Sequence, residues 1–531
     1  MHLASIDGLD LPKAWARART SASTSGIPDR LPFEVLVRLN NSGYQASVGR
    51  FATPYAPGTP VVVFAPKESR TLRPFVALPP LDHVLYQGLV DKCIPHLLRE
   101  LPEEHVVFQY RPMVEGKATF GDRPTWRDFV DRTRSLLTND FAYVLETDIA
   151  GFFLHIRPER IFPPLLASGV PLEVISDLRV LLAHFELHGV QGLPQGQAAS
   201  SALSNVALRP LDRMLAGVGI TYARWSDDLR VFAHTYSEAR RSQELIERRL
   251  FEDGFTLAAG KTFVRKAATA LQRMEDLDAS LARIRDDRIR QALSFVGPYD
   301  AEEEAIEEAL EQAEQDAIEA FYADLVTPIK AAQWSRDPLF RTKLSYALRA
   351  LAGIHSASAI DDAPALAWRY PDELEAIANY LRRVARDHRN DVARSLMTLH
   401  RRASYAADYQ RLSVASAAVA LAPTGPDIAL ATRLAKDAAD ASLNPILRRR
   451  AGLAATALGE RSDVTTASTL WDAFDRLPDP TLSKLYLVVG AQPLHPTARD
   501  TLYRRWKGES RMLTAVIDVI EGGSPFDLSR V

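Results

Sequence analysis

Two regimes of hydrophobic patterning divide the chain. Up to about residue 270, short β-prone runs alternate with segments of helix length. Residues 60–64 and 141–145 read as strands, the second ending in polar residues. Residues 220–225 and 229–233 read as two more, and Ser226-Asp227-Asp228 between them makes a hairpin turning at an acidic pair. Residues 237–251 read as a helix: Ser237 is its N-cap, Leu245, Ile246, Leu250 and Phe251 form its apolar stripe, and Gly254 follows its end. Beyond residue 270 strand signals become scarce and Ala, Leu, Arg and Glu dominate. Residues 372–387, 391–407, 426–441 and 445–458 are helix-length segments between Pro, Gly, Asp and Asn breaks. No strict period repeats, so a helical solenoid is the expectation and an irregular bundle the alternative. Residues 301–320 are rich in Glu and Asp with no basic residue, the pattern of a solvated helix face.

With 531 residues the chain suits about two or three domains. Its 47% hydrophobic and 25% charged content is that of a soluble globular protein. A net charge of -3 speaks against an overall basic nucleic-acid binder but leaves room for a local basic groove. Cys93 is the single cysteine, so neither an internal disulfide nor a cysteine-based zinc site is available; it reads as a core residue. Residues 1–13 lack the apolar core of a signal peptide, and no apolar run is long enough to span a membrane, which makes the cytoplasm the default location.

Three carboxylates carry the candidate chemistry. Asp148 sits where a β run ends, and Asp227 and Asp228 sit at the hairpin. Adjacent carboxylates repel one another unless a cation lies between them. Magnesium takes oxygen ligands and bridges carboxylates to substrate phosphates, and two such ions can serve phosphoryl transfer. Between the acidic segments lies Gly192-Leu193-Pro194-Gln195-Gly196, a loop whose glycine lets backbone approach a ligand closely, followed by small residues that open a helix.

In order and spacing these segments resemble reverse transcriptases over roughly residues 55–270. Asp148 with Phe153 is similar to the family's first palm motif, and Leu193-Pro194-Gln195-Gly196 with Ser200 and Leu203-Ser204-Asn205 to the second. Trp225-Ser226-Asp227-Asp228 is similar to the third, and Phe255 through Lys261-Thr262 to the fourth. Upstream, Pro66-Lys67 with Arg73-Pro74, then Asp82-His83-Val84-Leu85, then Phe108 to Pro112 resemble the fingers. The resemblance implies an α+β reverse-transcriptase palm and fingers over residues 1–270, followed by an all-α, repeat-like domain over 271–531 that replaces the thumb. It implies two Mg²⁺ ions, or Mn²⁺, on Asp148, Ile149, Asp227 and Asp228. Phe153 would be the gate against a ribose 2′-hydroxyl. Gln195 and Gly196 would touch the incoming nucleotide and template, Lys67 and Arg73 would hold phosphates, and Lys261 would protonate the leaving pyrophosphate. Implied partners are an RNA template, a DNA product and deoxynucleoside triphosphates, with a homo-oligomer and no membrane.

Ser226 stands where the family usually has Ala, Ala198 and Ser201 where prolines are common, and Ala258-Ala259-Gly260 replaces a more polar turn. These departures bear on fidelity and processivity more than on catalysis. Together with the helical second half they resemble the divergent bacterial defence-associated reverse transcriptases, including the abortive-infection and unknown groups, which implies antiphage defence. Some of that group attach DNA to a tyrosine, and Tyr405, Tyr409 and Tyr503 look exposed. The alternatives are a vestigial palm on a binding scaffold, against which all three carboxylates and Lys261 are retained, and an RNA-dependent RNA polymerase, against which Phe153 and Trp-Ser-Asp-Asp stand. Ala259-Gly260-Lys261-Thr262 lacks the spacing of a P-loop, and His184-Phe185-Glu186-Leu187-His188 that of a zinc protease, so the histidines read as structural. Arg448-Arg449-Arg450, Arg382-Arg383-Arg386 and Arg401-Arg402 read equally as a nucleic-acid path or as solvated helix faces.

Overall fold

The computed structural model describes residues 5, 8–23, 26–27, 29–39, 55–122, 124–275, 315–316, 318–327, 340–403 and 405–528. The acidic segment 301–320 lies largely outside them. The chain forms two compact units that interleave in sequence. Residues 1–25, 45–62 and 75–276 make the first, and residues 26–44, 63–74 and 277–531 the second.

The first unit is built on a four-stranded sheet in the order β4-β5-β3-β6. Its strands are β3 (Tyr143–Asp148), β4 (Tyr222–Trp225), β5 (Asp228–Ala233) and β6 (Phe263–Lys266), with β3 antiparallel to both β5 and β6. Val144 and Leu145 point to opposite faces and are both fully buried, so both faces are covered at that level. On one face Val144, Ala223 and Phe232 pack against Phe129, Leu136 and Leu137 of the helix Trp126–Asn139. The helix Tyr236–Asp253 also packs on β3 and β5. A second helical layer centres on Pro80–Leu98, which is buried nearly all round against Leu11–Ser23, Leu172–Leu187 and Ala198–Gly217. Cys93 is part of it.

Several boundaries differ from the sequence pattern. Asp148 is the last residue of β3 and Asp228 the first of β5, so the turn itself is Ser226-Asp227. The cap of the helix Tyr236–Asp253 is Thr235 rather than Ser237, because Thr235 and Glu238 satisfy each other's backbone amides as a capping box. Only Ile246 and Leu250 of its expected stripe are buried; Leu245 is exposed and Phe251 is 79% exposed.

Among the described residues the regular structure of the second unit is helical apart from what it takes from a hairpin of β1 (Val61–Pro66) and β2 (Leu72–Ala77), whose tip, residues 63–74, belongs to it. The helices Phe340–Gly353, Leu374–Val384, Ala407–Ala418, Pro445–Leu458, Pro480–Gly490 and Arg511–Glu521 pack each on the next. Other helices alternate with them in sequence, such as Arg389–Arg401 and Ile428–Ala439. The expected helix 391–407 is therefore Arg389–Arg401, then a break with Ala406 at φ 48°, then the start of the next helix. The expected helix 372–387 shortens to Leu374–Val384 behind a 3₁₀ turn at Pro371–Glu373.

Arg448, Arg449 and Arg450 neither line a path nor face solvent. All three are buried, because each ties its helix to a neighbour. Arg448 Nε donates to the Ala438 carbonyl (3.0 Å) and Arg449 Nε to Ser483 Oγ (2.9 Å), while Arg450 Nη1 lies 3.9 Å from Asp29 Oδ1. Arg383, Arg386, Arg401 and Arg402 are exposed. The helix Leu31–Arg38 belongs here too, with Leu31, Phe33, Val35 and Leu36 buried. Tyr486 donates to Asp29 Oδ2 at 2.6 Å, Arg38 Nη1 donates to the Ser524 carbonyl at 2.9 Å, and the Arg38 guanidinium lies 4.6 Å from the Phe526 ring centre. Among the described residues no helix is long and apolar enough to cross a membrane.

Candidate active site

The carboxylates meet at one end of the central strands. Asp148 and Asp228 are direct cross-strand partners in the β3–β5 register, so their side chains leave the same face of the sheet. Trp225 pairs with Asp228, which leaves Ser226 and Asp227 as a two-residue loop. Ser226 has φ +58° and Asp227 is not in the positive-φ region, the pattern of a II′ turn, where glycine is the usual first residue. Burial pushes the Asp228 carboxyl up to about 6; Arg230 opposes this, and Asp148 and Asp227 reinforce it. Burial and then the charge of Asp148 raise the Asp227 carboxyl as well. This is a cluster that gains from a cation. Lys261 supplies one, with Nζ 3.1 Å from Asp148 Oδ2 and a side chain 69% exposed.

Short-range bonds fix the segment around Lys261 to the end of β3. The Ala258 amide donates to the Asp148 carbonyl (2.7 Å), the Ala150 amide to the Thr256 carbonyl (2.9 Å), and the Thr147 and Thr262 hydroxyls are 2.7 Å apart. Ile149 is apolar and buried, so its carbonyl is the only group it can offer a metal. Hard oxygen donors of this kind suit Mg²⁺, which keeps several waters and completes its shell with substrate phosphates. Among the described residues no three His, Cys, Asp or Glu side chains already form a metal cage.

The Gly192–Gly196 loop is seated on the backbone of the expected gate. The Leu193 amide donates to the Phe153 carbonyl at 3.0 Å, and Gly192 has φ +67°. A Cβ on Gly192 would lie 2.1 Å from the Phe153 oxygen and 2.7 Å from that of Leu154. Gly192→Ala should therefore cost on the order of 3 kcal/mol and displace Phe153. A urea midpoint equal to wild type would refute this packing. On the other side, the Gln195 carbonyl accepts from the Val76 amide (2.9 Å), and Gln197 Nε2 donates to the Val76 carbonyl (2.5 Å). Gln195 and Gly196 are half-buried, and Gly196 has φ +99°. Phe152 is core at 2% exposure, whereas Phe153 is half-buried with its ring 6.4 Å from that of Tyr110.

The structure thus brings Asp148, Asp227, Asp228 and Lys261 together, and joins Phe153 to the Gln195-Gly196 loop. Lys67 and Arg73 lie at the β1–β2 tip in the second unit. Tyr409 and Tyr503 are buried, unlike the sequence expectation. Each sits in a helix interface with its hydroxyl donating to a backbone carbonyl, of Gly26 and Val488 respectively, both at 2.9 Å. Tyr405 is half-buried and donates to the Arg70 carbonyl. His184 and His188 each bond a backbone carbonyl at 2.9 Å.

Two charged side chains escaped the motif reading. Arg224 of β4 is 1% exposed and grips Asp212 of the helix Ala198–Gly217 with two bonds, 3.0 Å and 2.9 Å, while Tyr222 donates to the same carboxylate at 2.9 Å. This pair ties the strand before the acidic turn to the helix that follows the Gly192–Gly196 loop. Arg230, two residues beyond Asp228, donates to Thr133 Oγ1 at 2.7 Å and lies 4.3 Å from the Phe129 ring centre. The signal was available: a charge inside a buried strand needs a partner.

Residues 65–276 match the family of reverse transcriptases (RNA-dependent DNA polymerases). The chain is 30% identical over 212 residues to the Retron Mx65 reverse transcriptase of Myxococcus xanthus, covering 36% of this chain and 48% of that protein. It is 28% identical over 204 residues to the Retron Mx162 reverse transcriptase of the same organism, covering 30% and 40%. The chain spans less than half the length of these relatives, and its residues 65–276 carry a reverse-transcriptase domain, followed by a mostly helical region.

Proposed function

We propose that the protein is an RNA-directed DNA polymerase that extends a hydroxyl end with deoxynucleotides, in the service of antiphage defence. The pairing of Asp148 with Asp228 across β3 and β5, with Asp227 at the adjoining turn, carries this reading. The matched family and the retron relatives support it. Asp148, Asp227, Asp228 and the Ile149 carbonyl are the oxygens that would hold two Mg²⁺ ions, which supply charge neutralisation for the attacking hydroxyl and the leaving pyrophosphate. Lys67 and Arg73 hold the triphosphate. Gln195 and Gly196 bound the pocket for the nucleotide and template, and Lys261 gives a proton to the departing pyrophosphate. Attack of the hydroxyl oxygen on the α-phosphorus forms the new ester as the α–β bond breaks. The second unit acts as a helical repeat in place of a thumb. Its mutually packed helices begin at residues 340, 374, 407, 445, 480 and 511, which are 31 to 38 residues apart.

The gate tests both substrate and fold. Phe153 has a half-buried ring, and its backbone carbonyl accepts from the Leu193 amide of the loop that holds Gln195. Phe153→Ala should lower the preference for deoxynucleotides over ribonucleotides by roughly tenfold or more, the scale of a lost shape discrimination. The measurement is the ratio of kcat/KM values for the two nucleotide kinds on a primed RNA template. An unchanged ratio would assign the gate to another residue, and no incorporation by wild type on any primed template would overturn the polymerase reading.

A further inference from the structure

The turn between β1 and β2 carries more bonds than its own closure requires. Lys67 and Thr71 close it through an amide-to-carbonyl bond of 2.8 Å, Arg70 donates back to the Lys67 carbonyl at 2.9 Å, and Arg70 takes a left-handed φ of +60°. Three of its groups then reach other segments of the same unit. Glu68 Oε1 meets Arg341 Nη1 at 3.0 Å, Arg70 Nη2 points at the Arg369 carbonyl at 3.4 Å, and the Tyr405 hydroxyl donates to the Arg70 carbonyl. Arg341 is itself fixed, with Nε 2.6 Å from Asp372 Oδ2 and its guanidinium 5.3 Å from the Tyr370 ring centre. The turn is therefore held from outside at three points: the Arg341 side chain, the Arg369 carbonyl and the Tyr405 hydroxyl, the first two on helices and the third in the break before Ala407–Ala418.

We propose that Glu68, Arg341 and Tyr405 are positioning residues for nucleotide binding: through them the helical unit sets the conformation of the turn that presents Lys67 and Arg73 to the triphosphate. This rests on the polymerase reading above. Lys67 opens the turn, and Arg73 follows it by two residues on β2. A turn with a non-glycine residue at positive φ is strained by itself and needs outside contacts to persist. The contacts supply that restraint, so the phosphate-holding cations are preorganised before nucleotide arrives and less ordering remains to be done on binding. Glu68 is 74% exposed on its side chain, so its share falls as salt rises, whereas the hydroxyl–carbonyl bond of Tyr405 does not.

The test uses the full chain with Glu68→Gln and Tyr405→Phe combined. These changes remove one charge and one hydroxyl and leave Lys67, Arg73 and the carboxylates untouched. Hydrogen exchange of residues 63–74 without nucleotide should quicken severalfold in the variant. Michaelis constants for deoxynucleotides should rise about fivefold with kcat within twofold, the effect of losing one or two surface-accessible bonds. Unchanged exchange in residues 63–74 overturns the docking. Faster exchange with an unchanged KM, or a loss confined to kcat, overturns the link to nucleotide binding. Protection of residues 63–74 by a deoxynucleoside triphosphate in wild type, absent from the variant, supports the proposal even where turnover is not seen; a wild type that neither turns over nor gains protection overturns the proposal and the polymerase reading together.

Discussion

Asp227→Asn should reduce nucleotide incorporation by at least about a thousandfold, the scale of roughly 4 kcal/mol of lost transition-state stabilisation, while leaving a protein no less stable than wild type. Both halves come from the same crowding. The Asp227 carboxyl is held above its ordinary range, first by burial and then by Asp148. Its ionised form therefore works against the fold at every pH above its unfolded value of about 4, and this cost disappears as the pH falls below that value. Asparagine keeps the shape and cannot ionise, so the cost is gone. Urea midpoints without divalent metal, from pH 5 to 8, should show the variant gaining on wild type as the pH rises. Added Mg²⁺ should then raise the wild-type midpoint more than that of the variant, since a ligand stabilises the state that binds it. Incorporation at wild-type rates in Asp227→Asn would remove Asp227 from the catalytic group.

Asp212→Ala should be the most destabilising single change near the site, by about 3–5 kcal/mol, because it leaves the buried Arg224 guanidinium and the Tyr222 hydroxyl facing an empty position. Replacing the pair together, as Asp212→Leu with Arg224→Met, should return most of that stability, since apolar groups of similar size often match a buried ion pair. Incorporation should not return with it. The bidentate grip fixes β4 against the helix Ala198–Gly217, and β4 leads directly into Ser226 and Asp227. Equilibrium unfolding and steady-state incorporation on the same preparations separate the outcomes. Full activity in the stable double variant would show that the pair holds the fold and not the turn.

The parts of the first unit that could be read from sequence are those written in short-range pattern. β-branched and aromatic runs marked the strands, and the spacing of Asp148, the Gly192–Gly196 loop, Asp227-Asp228 and Lys261 marked the candidate site. What escaped depended on neighbours distant in sequence. Phe251 has the composition of a core residue but lies on a helix face that nothing covers among the described residues. Arg448 to Arg450 look like a solvated charge run, yet their partners are Ala438, Ser483, Pro478 and Ser416 on other segments. Tyr409 and Tyr503 look exposed because a tyrosine beside polar residues gives no hint of the carbonyl that will receive its hydroxyl. The apex of the hairpin lies one residue before the acidic pair for a related reason. The acidic pair suggested its own apex, whereas the pairing of Trp225 with Asp228 moves the apex back to a serine in a glycine-like conformation.

The interleaving of the two units sets an order of events during synthesis. The helix Leu31–Arg38 and the 63–74 turn leave the ribosome early, yet their packing partners begin only after residue 276. At roughly 5–20 residues per second, the 202 residues from 75 to 276 take on the order of 10–40 s to appear. Throughout that interval Leu31, Phe33, Val35 and Leu36 have no core to enter. The wait lasts longest for Arg38, whose bond to Ser524 and stacking on Phe526 form only when nearly the whole sequence has been made. The apolar side chains of Leu31–Arg38 are thus made well before most of the unit they belong to, and no single cut divides the sequence into two pieces that each hold a complete unit.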